Sequence, residues 1–221
     1  MTSFPRIAVF LSGSGRTLQN FQDRISDHTM PGTLVDVVSS NAGAYGLERA
    51  RKAGLAHTVI DPRDHAGRDA FADAVYDRLS EKEIDLVLLA GYMVFFPTRP
   101  EWTSRVMNIH PALLPAFGGK GYHGMKVHRA VLEAGVTESG CTVHFVDDEY
   151  DHGPIIVQRR VPVRPGDTPE ELAARVFTEE LEAYPEAVRL FSEDRLRIVG
   201  DRVEITRMGK SRADRADQGQ A

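Results

Sequence analysis

The segment Asn108-Ile109-His110-Pro111 places an amide donor and an imidazole two residues apart. In an extended segment alternate side chains face the same way, so Asn108 and His110 share one face while Ile109 points into the opposite packing layer. Pro111 favours the extended backbone at the residue before it. An amide can stabilise an oxyanion and an imidazole can move a proton near neutral pH, although an isolated pair of this kind is more often structural.

A run of acidic residues follows later in the chain, between two predicted strands. It contains Asp147, Asp148 and Asp151. A carboxylate at this position could face His110, orient the imidazole and favour its protonated form. Spacing alone does not choose among the three aspartates, and a solvated acidic turn is the alternative interpretation.

A glycine-containing loop, Ser12-Gly13-Ser14-Gly15-Arg16-Thr17, is predicted where a first strand meets a first helix. Glycines permit a sharp turn, and the amides at a helix start offer hydrogen-bond donors and a positive dipole end to a phosphate. Arg16 and Thr17 could add side-chain donors. Leu18 stands where a dinucleotide-binding fingerprint requires its third glycine, so the loop favours a single phosphate, with an ordinary turn as the alternative.

The elements that must position these residues alternate between strand and helix in the first part of the chain. Strands are predicted at 7–11, 34–38, 56–60 and 85–91. Between them, a first helix is predicted from the helical spacing of Leu18, Phe21 and Ile25, and further helices at 45–53 and 68–83. This alternation predicts an α/β fold, a doubly wound and mostly parallel sheet with helices on both faces.

The pattern changes after Tyr92, where prolines divide the chain into short segments that we expect to surround a site. Three further strands are predicted at 105–109, 139–146 and 155–163. Thr168-Pro-Glu-Glu171 carries the signature of a helix start, and that helix should run to about Ser192. A hairpin is predicted over 196–205, and a disordered tail over 209–221.

Composition excludes several classes of protein. The 27 Lys and Arg residues against 32 Asp and Glu residues give a net charge of −5, which disfavours nucleic acid and anionic membranes as partners. No apolar run approaches the ~20 residues of a membrane span, and no secretory signal precedes the first strand. The single cysteine, Cys141, is expected to be a buried inert thiol, and the histidines show no metal-ligand spacing. We therefore expect a cytoplasmic protein without a metal.

Five segments, in this order, resemble a known family. They are Ser12-Gly13-Ser14-Gly15, Leu89-Ala-Gly-Tyr-Met93, Asn108-Ile-His-Pro-Ala-Leu-Leu-Pro115, Thr142-Val-His-Phe-Val146 and Asp151-His-Gly-Pro154. Together they resemble the folate-dependent phosphoribosylglycinamide formyltransferase family of purine biosynthesis, over roughly residues 6–205. The resemblance implies formyl transfer from 10-formyltetrahydrofolate to the amine of 5-phosphoribosylglycinamide, by a monomer or homodimer.

The resemblance also assigns site residues. It implies catalytic roles for Asn108, His110 and Asp151. It implies a phosphate loop and a ribose contact at these positions: Gly13, Ser14, Gly15, Arg16, Thr17 and Glu180. It implies folate contacts, besides Asn108 and Asp151, at these positions: Arg68, Met93, Val94, Phe95, Phe96, Val146 and Asp147. One catalytic domain is then expected over 1–208, with a phosphate-binding half at about 6–100 and a folate and catalytic half at about 101–206.

Three departures from the family pattern bear on the site. Arg16-Thr17 stands where many members carry Ser-Asn, and Val94-Phe95-Phe96 makes the pterin region more apolar than usual. The segment 117–123 is longer than its usual counterpart, and its glycines predict a mobile lid, with no role assigned to Lys120 or His123.

Three other functions are less consistent with the sequence. A 10-formyltetrahydrofolate deformylase shares the Asn, His and Asp set but adds an N-terminal regulatory domain, for which the early first strand leaves no expected room. A transfer RNA formyltransferase adds a C-terminal nucleic-acid-binding domain, where a short polar tail is expected here. An NAD-dependent protein is disfavoured because the third glycine of the loop and an acidic ribose partner after the second strand are missing.

Overall fold

The computed structural model describes residues 4–206, and a seven-stranded sheet organises them. Its strands and helices, in chain order, are β1 (Arg6–Leu11), α1 (Arg16–Ser26), β2 (Thr33–Ser39), α2 (Tyr45–Lys52), β3 (Ala56–Val59), α3 (Arg68–Glu81), β4 (Leu86–Leu89), β5 (Val106–His110), α4 (Met125–Glu133), β6 (Glu138–Phe145), β7 (Ile155–Pro162), α5 (Pro169–Ser192), β8 (Leu196–Val199) and β9 (Arg202–Ile205). The tail predicted over 209–221 lies outside the described residues.

The sheet has the order β3-β2-β1-β4-β5-β6-β7. Strands β1 to β5 are parallel, whereas β6 pairs antiparallel with both β5 and β7. The strand order reverses between β1 and β4, and ligands of open α/β sheets bind beyond the strand ends at such a point. The predicted mostly parallel α/β sheet is confirmed, as are all seven strands that were predicted for it.

The hydrophobic core forms two clusters, one on each face of the sheet. Alternate residues of β1 divide between them: Val9 belongs to the cluster that includes residues of α1, α2 and α5, and Phe10 to the cluster that includes residues of α3. This is the two-sided cover of a doubly wound fold. The Tyr184 hydroxyl of α5 lies 2.8 Å from the carbonyl oxygen of Met107 and 3.2 Å from that of Leu89, which holds the helix against β5 and β4.

Helix boundaries agree with the sequence wherever a start signal is present. The Thr168 hydroxyl accepts a hydrogen bond from the N–H of Glu171, whose carboxylate accepts one from the N–H of Thr168, so the predicted capping box is confirmed. Helix α4 was not predicted. It begins after Gly124, which has φ 53°, and it has no side-chain cap, so the sequence contains no N-cap signal at its start.

The hairpin predicted over 196–205 is present as β8 and β9, which form a separate two-stranded sheet. Among residues 4–206, no helix is both long enough and apolar enough to cross a membrane.

Candidate active site

Strand β5 ends at the candidate residues Asn108 and His110. Ile109 packs into the hydrophobic cluster shared with α5, so its two neighbours face the other side of the sheet, as the alternation predicted. His110 is 4% exposed and Asn108 is half-buried. Both side chains therefore lie at the carboxyl end of a central strand, close to the point where the strand order reverses.

Asp151 is the aspartate that reaches this pair. Its Oδ1 accepts a hydrogen bond from Nδ2 of Asn108 at 3.2 Å, and its Oδ2 lies 3.3 Å from Nδ1 of His110. The other two aspartates have different partners: Asp147 pairs with His152 at 2.7 Å, and Asp148 accepts a hydrogen bond from Thr98. The geometry thus makes the choice that spacing alone left open.

Both ring nitrogens of His110 face hydrogen-bond acceptors. Its Nε2 donates to the carbonyl oxygen of Phe117 at 2.8 Å, and its Nδ1 faces the carboxylate of Asp151. A carbonyl and a carboxylate only accept hydrogen bonds, so the imidazolium is the form in which both ring nitrogens donate. Burial by itself would raise the pKa of Asp151, but the hydrogen bonds from His110 and from the N–H of Gly119 outweigh it and lower that pKa.

His144 orients the amide of Asn108. It lies opposite Asn108 on β6, its Nδ1 donates to the carbonyl oxygen of Phe145 at 2.8 Å, and its Nε2 lies 3.2 Å from Nδ2 of Asn108. With Nδ1 as the donor to the carbonyl, neutral Nε2 accepts from the amide. The structure thus brings His144 into hydrogen-bond contact with the site.

The segment 117–124 closes over the cluster. Besides the carbonyl of Phe117, it supplies the N–H of Gly119, which donates to Oδ2 of Asp151 at 3.0 Å. Phe117 has φ 57°, a left-handed conformation that a bulky side chain rarely adopts. Gly118 has no Cβ, and one built there would lie 3.3 Å from Cβ of Asp151 and 2.4 Å from the Leu114 side chain. The segment predicted as a lid is thus packed directly on the candidate carboxylate.

A pocket of about 820 Å³ opens beside this cluster. Three of the predicted folate contacts, Arg68, Val94 and Phe95, line it, together with Gly119 and Lys120 of the segment 117–124. The sequence did not assign Lys120, nor the other lining residues Pro62, Gly67, Phe71, Pro97, Asp148, Glu149 and Tyr150. For Tyr150, the available sequence signal was its position directly before Asp151 in the acidic run. The pocket has the dimensions of a site for a drug-sized molecule.

The remaining predicted folate contacts lie elsewhere. The side chain of Phe96 is buried in the core beside Phe10, with ring centroids 5.4 Å apart, and Val146 belongs to the same cluster. Met93 is 52% exposed, and its N–H donates to the hydroxyl of Ser12 at 2.8 Å. The hydroxyl of Ser12 also contacts that of Ser40 at 2.6 Å. Ser12 thus connects the glycine loop to the segment that follows β4. The sequence did not predict this contact.

The glycine loop leads into α1 through Gly15, which has φ 68°. A Cβ there would lie 2.6 Å from Cα of Gly46, so α1 and α2 approach one another in a way that only glycine permits. Helix α1 has no side-chain cap and no acidic residue in its first turn. Gly13, Ser14 and Arg16 are exposed, whereas Thr17 is buried, and the loop leaves the helix N-terminus open to an anion.

Glu180 lies on α5, within electrostatic range of both ends of the site. Burial raises its pKa to about 7, and the charges of His110 and Arg16 act in the opposite direction. The predicted ribose contact is therefore near both the predicted phosphate loop and His110.

Two expectations about other chemistry concern Cys141 and metals. Burial raises the pKa of the Cys141 thiol to about 12, which is the property of an unreactive cysteine. Within residues 4–206, no cluster of three or more His, Cys, Asp or Glu residues is arranged to hold a metal ion.

The profile of a protein family, described as formyl transferase, matches residues 5–188. The chain belongs to the formyl transferase family. Its sequence is 41% identical over 203 residues to the chloroplastic phosphoribosylglycinamide formyltransferase of Arabidopsis thaliana, covering 90% of this chain and 70% of that protein. It is 42% identical over 200 residues to the trifunctional purine biosynthetic protein adenosine-3 of Drosophila pseudoobscura pseudoobscura, covering 89% of this chain but only 14% of that relative.

A solved formyl transferase structure has the same architecture. The glycinamide ribonucleotide transformylase 1 of Symbiobacterium toebii superimposes with a TM-score of 0.86 at 47% identity, covering 94% of this chain and 96% of the other. The family resemblance seen in the sequence is confirmed, and so is the fold that it implied.

Proposed function

We propose that this formyl transferase moves the formyl group of 10-formyltetrahydrofolate to the amine of 5-phosphoribosylglycinamide, in purine biosynthesis. The products are the formylated ribonucleotide and tetrahydrofolate. The observation that carries the proposal is the position of Asp151, which contacts both Asn108 and His110 between a large pocket and an open helix N-terminus. The relatives named for this activity support the choice of substrates.

The two substrates then approach from opposite sides of β5. The phosphate binds at the N-terminus of α1, the ribose lies against Glu180, and the amine points toward His110. The folate occupies the pocket, with Arg68 as a cation for its carboxylate tail. The electrostatic effect of both Arg16 and His110 on Glu180 supports this order, because one ribonucleotide has to reach all three residues.

The reaction needs no enzyme nucleophile, because the substrate amine attacks the formyl carbon itself. A carbon–nitrogen bond to the amine forms, and the formyl oxygen becomes an oxyanion. Protonated His110 and the amide of Asn108 stabilise that charge as it develops. The bond from the formyl carbon to N10 of the folate then breaks, and the proton lost by the amine reaches N10, so atoms and charge balance.

Both stabilising groups already have protein partners. Nε2 of His110 donates to Phe117, and the amide of Asn108 donates to His144 and Asp151. The substrate oxygen therefore has to replace one of these acceptors. The carbonyl of Phe117 is the natural one to exchange, because it belongs to the segment 117–124 that closes over the site. Asp151 keeps the positive charge on His110 throughout and orders the water that carries the proton.

The test is the absorbance change of the folate with and without 5-phosphoribosylglycinamide. We expect turnover only when the amine is present, and a loss of about 10²–10³ in kcat for Asn108→Ala. Thermal unfolding of the variant serves as the control for folding. Turnover without the amine would instead identify a hydrolase, and near-normal kcat in the variant would overturn the assignment of Asn108.

The proposal extends to the setting of the enzyme. We place it in the cytoplasm, as a monomer or homodimer acting on small molecules, with no metal and with neither nucleic acid nor membrane as partner. The net charge of −5 supports the exclusion of nucleic acid and anionic membranes, while the substrates need positive potential only locally, at their phosphate and carboxylate positions.

A further inference from the structure

Phe177 is an aromatic residue of α5 that the sequence did not single out. It is half-buried and belongs to neither hydrophobic cluster of the core. The guanidinium of Arg16 lies over its ring, with Cζ 4.1 Å from the ring centroid. Phe177 precedes Glu180 by three residues on the same helix, so both side chains lie on one face, toward the glycine loop.

Most arginines that stack on rings also have polar partners in this protein. Three of them hydrogen-bond to protein groups as well: Arg49 to Ser14 and Gln19, Arg99 to Asp73, and Arg105 to Asp85 and Ile84. In contrast, the guanidinium groups of Arg16, over Phe177, and of Arg68, over Phe95, form no hydrogen bond or ion pair with any residue in the range 4–206. These two stacked arginines lie at the two ends of the candidate site.

The packing of α1 on α5 fixes the position of Arg16 over the ring. One turn further along both helices, Nδ2 of Asn20 donates to the carbonyl oxygen of Leu181 at 3.0 Å. The rings of Phe21 and Tyr184 meet edge to face with centroids 5.1 Å apart, and Arg24 forms an ion pair with Glu182. Arg16 and Phe177 are thus the site-facing members of a continuous contact between the two helices.

We infer that Phe177 positions the guanidinium of Arg16 to bind the phosphate of the ribonucleotide, so that Phe177 is a specificity-determining residue of the amine-substrate site. The inference rests on the proposed function for the identity of that substrate. Stacking uses the face of the guanidinium and leaves its in-plane N–H donors free. A phosphate can accept two of them side by side, while the uncapped N-terminus of α1 supplies backbone donors.

Preorganisation is the advantage of this arrangement. A free arginine side chain loses rotamer freedom when it binds a phosphate, whereas a stacked one has already lost much of it. Glu180 senses the charge of Arg16 but forms no ion pair with it, so the guanidinium is not neutralised by the ribose contact. The ring therefore affects binding of the phosphate and takes no part in formyl transfer.

The test compares Phe177→Leu, Phe177→Tyr and Arg16→Leu with the wild type. The substrates are 5-phosphoribosylglycinamide and its dephosphorylated riboside. Phe177→Leu should raise KM for the phosphorylated substrate about three- to tenfold, and Arg16→Leu on the order of tenfold or more. Neither should change kcat/KM for the riboside or KM for the folate by more than about twofold. Phe177→Tyr keeps an aromatic ring, so its KM for the phosphorylated substrate should remain close to that of the wild type.

Two outcomes would overturn the inference. One is an equal loss for the phosphorylated and dephosphorylated substrates, which indicates a general structural role. The other is a KM of Phe177→Leu for the phosphorylated substrate that equals that of the wild type. Binding of ribose 5-phosphate, measured by calorimetry, separates this inference from the proposed function. If the wild type binds ribose 5-phosphate without catalysing transfer, and Phe177→Leu binds it about three- to tenfold more weakly, the positioning role stands and the proposed function fails.

Discussion

The two ends of the candidate site satisfy their polar groups in opposite ways. At the end of β5, Asp151 accepts from Asn108 and Gly119 and faces His110, so the groups that would stabilise charge hold one another in place. At the start of α1, the helix has no side-chain cap, and Arg16 is held only by stacking on a ring. The first end is organised by internal hydrogen bonds, whereas the second keeps its donors for a ligand.

The N-terminus of α5 contrasts with that of α1. Thr168 and Glu171 cap the N-terminus of α5 reciprocally, with acidic residues in its first turn. Helix α1, which begins after Gly15, has neither feature. We propose that the residues at the end of β5 stabilise charge during formyl transfer and that those at the start of α1 bind the phosphate. Substitutions at β5 should then lower kcat, and substitutions at α1 should raise KM for the phosphorylated substrate.

The largest effect is expected for Asp151→Asn. The substitution removes the negative charge that faces His110, so the imidazolium loses its stabilising partner, and kcat should fall by about 10²–10³ while KM for the ribonucleotide stays within about threefold. Steady-state kinetics with both substrates measure this. Asp201→Asn, in the exposed turn of the β8–β9 hairpin, is the matched control. A change confined to KM would break the proposed division between the two ends.

A smaller effect, on KM more than on kcat, is expected for Gly15→Ala. The new Cβ would approach Cα of Gly46 to 2.6 Å, at a backbone φ of 68°, so the loop and α1 have to shift. We expect a loss of roughly 1–3 kcal/mol in unfolding free energy and a rise in KM for the ribonucleotide that exceeds any fall in kcat. Chemical denaturation and steady-state kinetics provide the two measurements.

Gly13→Ala is the matched control for stability, because a Cβ at Gly13 meets no atom within 4 Å. Its unfolding free energy should stay within about 0.5 kcal/mol of the wild type. Equal destabilisation by both substitutions would show that close approach of α1 to α2 does not fix the loop.

The smallest effect is expected from Glu180→Gln, and it depends on pH. Because burial raises the pKa of Glu180 to about 7, the folded protein holds a proton between about pH 4.5 and 7 that the unfolded chain releases. Stability contributed by this group is therefore lost as pH rises through that range. The variant should match the wild type near pH 4.5 and exceed it by roughly 1–3 kcal/mol at pH 8, as measured by urea denaturation. An equal difference at both pH values would contradict this.

Regular segments with local signals were predictable from the sequence. The first strand, the glycine loop and the helix that carries Leu18, Phe21 and Ile25 were predicted in the correct order, because apolar runs, glycine and helical spacing all lie within one local window. The capping box of α5 was predicted to the residue for the same reason. Helix α4 was missed because its nine residues follow a segment that prolines and glycines divide, which leaves little room for a helical period to show.

The contacts that complete the site depend on tertiary structure and have no sequence signature. The acceptor for His110 is the backbone carbonyl of Phe117, which any residue type could supply. The run from Met93 to Phe96 could be assigned to the folate site as a block, but only the fold shows that Phe96 packs inward beside Phe10. Phe177 is one of several apolar residues on α5, and its stacking with Arg16 follows only from the packing of α1 on α5.

The most direct measurement of the central claim follows the formyl carbon itself. The wild-type protein is given 10-formyltetrahydrofolate labelled with ¹³C in the formyl group, together with 5-phosphoribosylglycinamide, and the products are identified by NMR. We predict that the label appears in the formylated ribonucleotide, in an amount equal to the tetrahydrofolate released. Label recovered as free formate, or retained on the folate, would contradict the account.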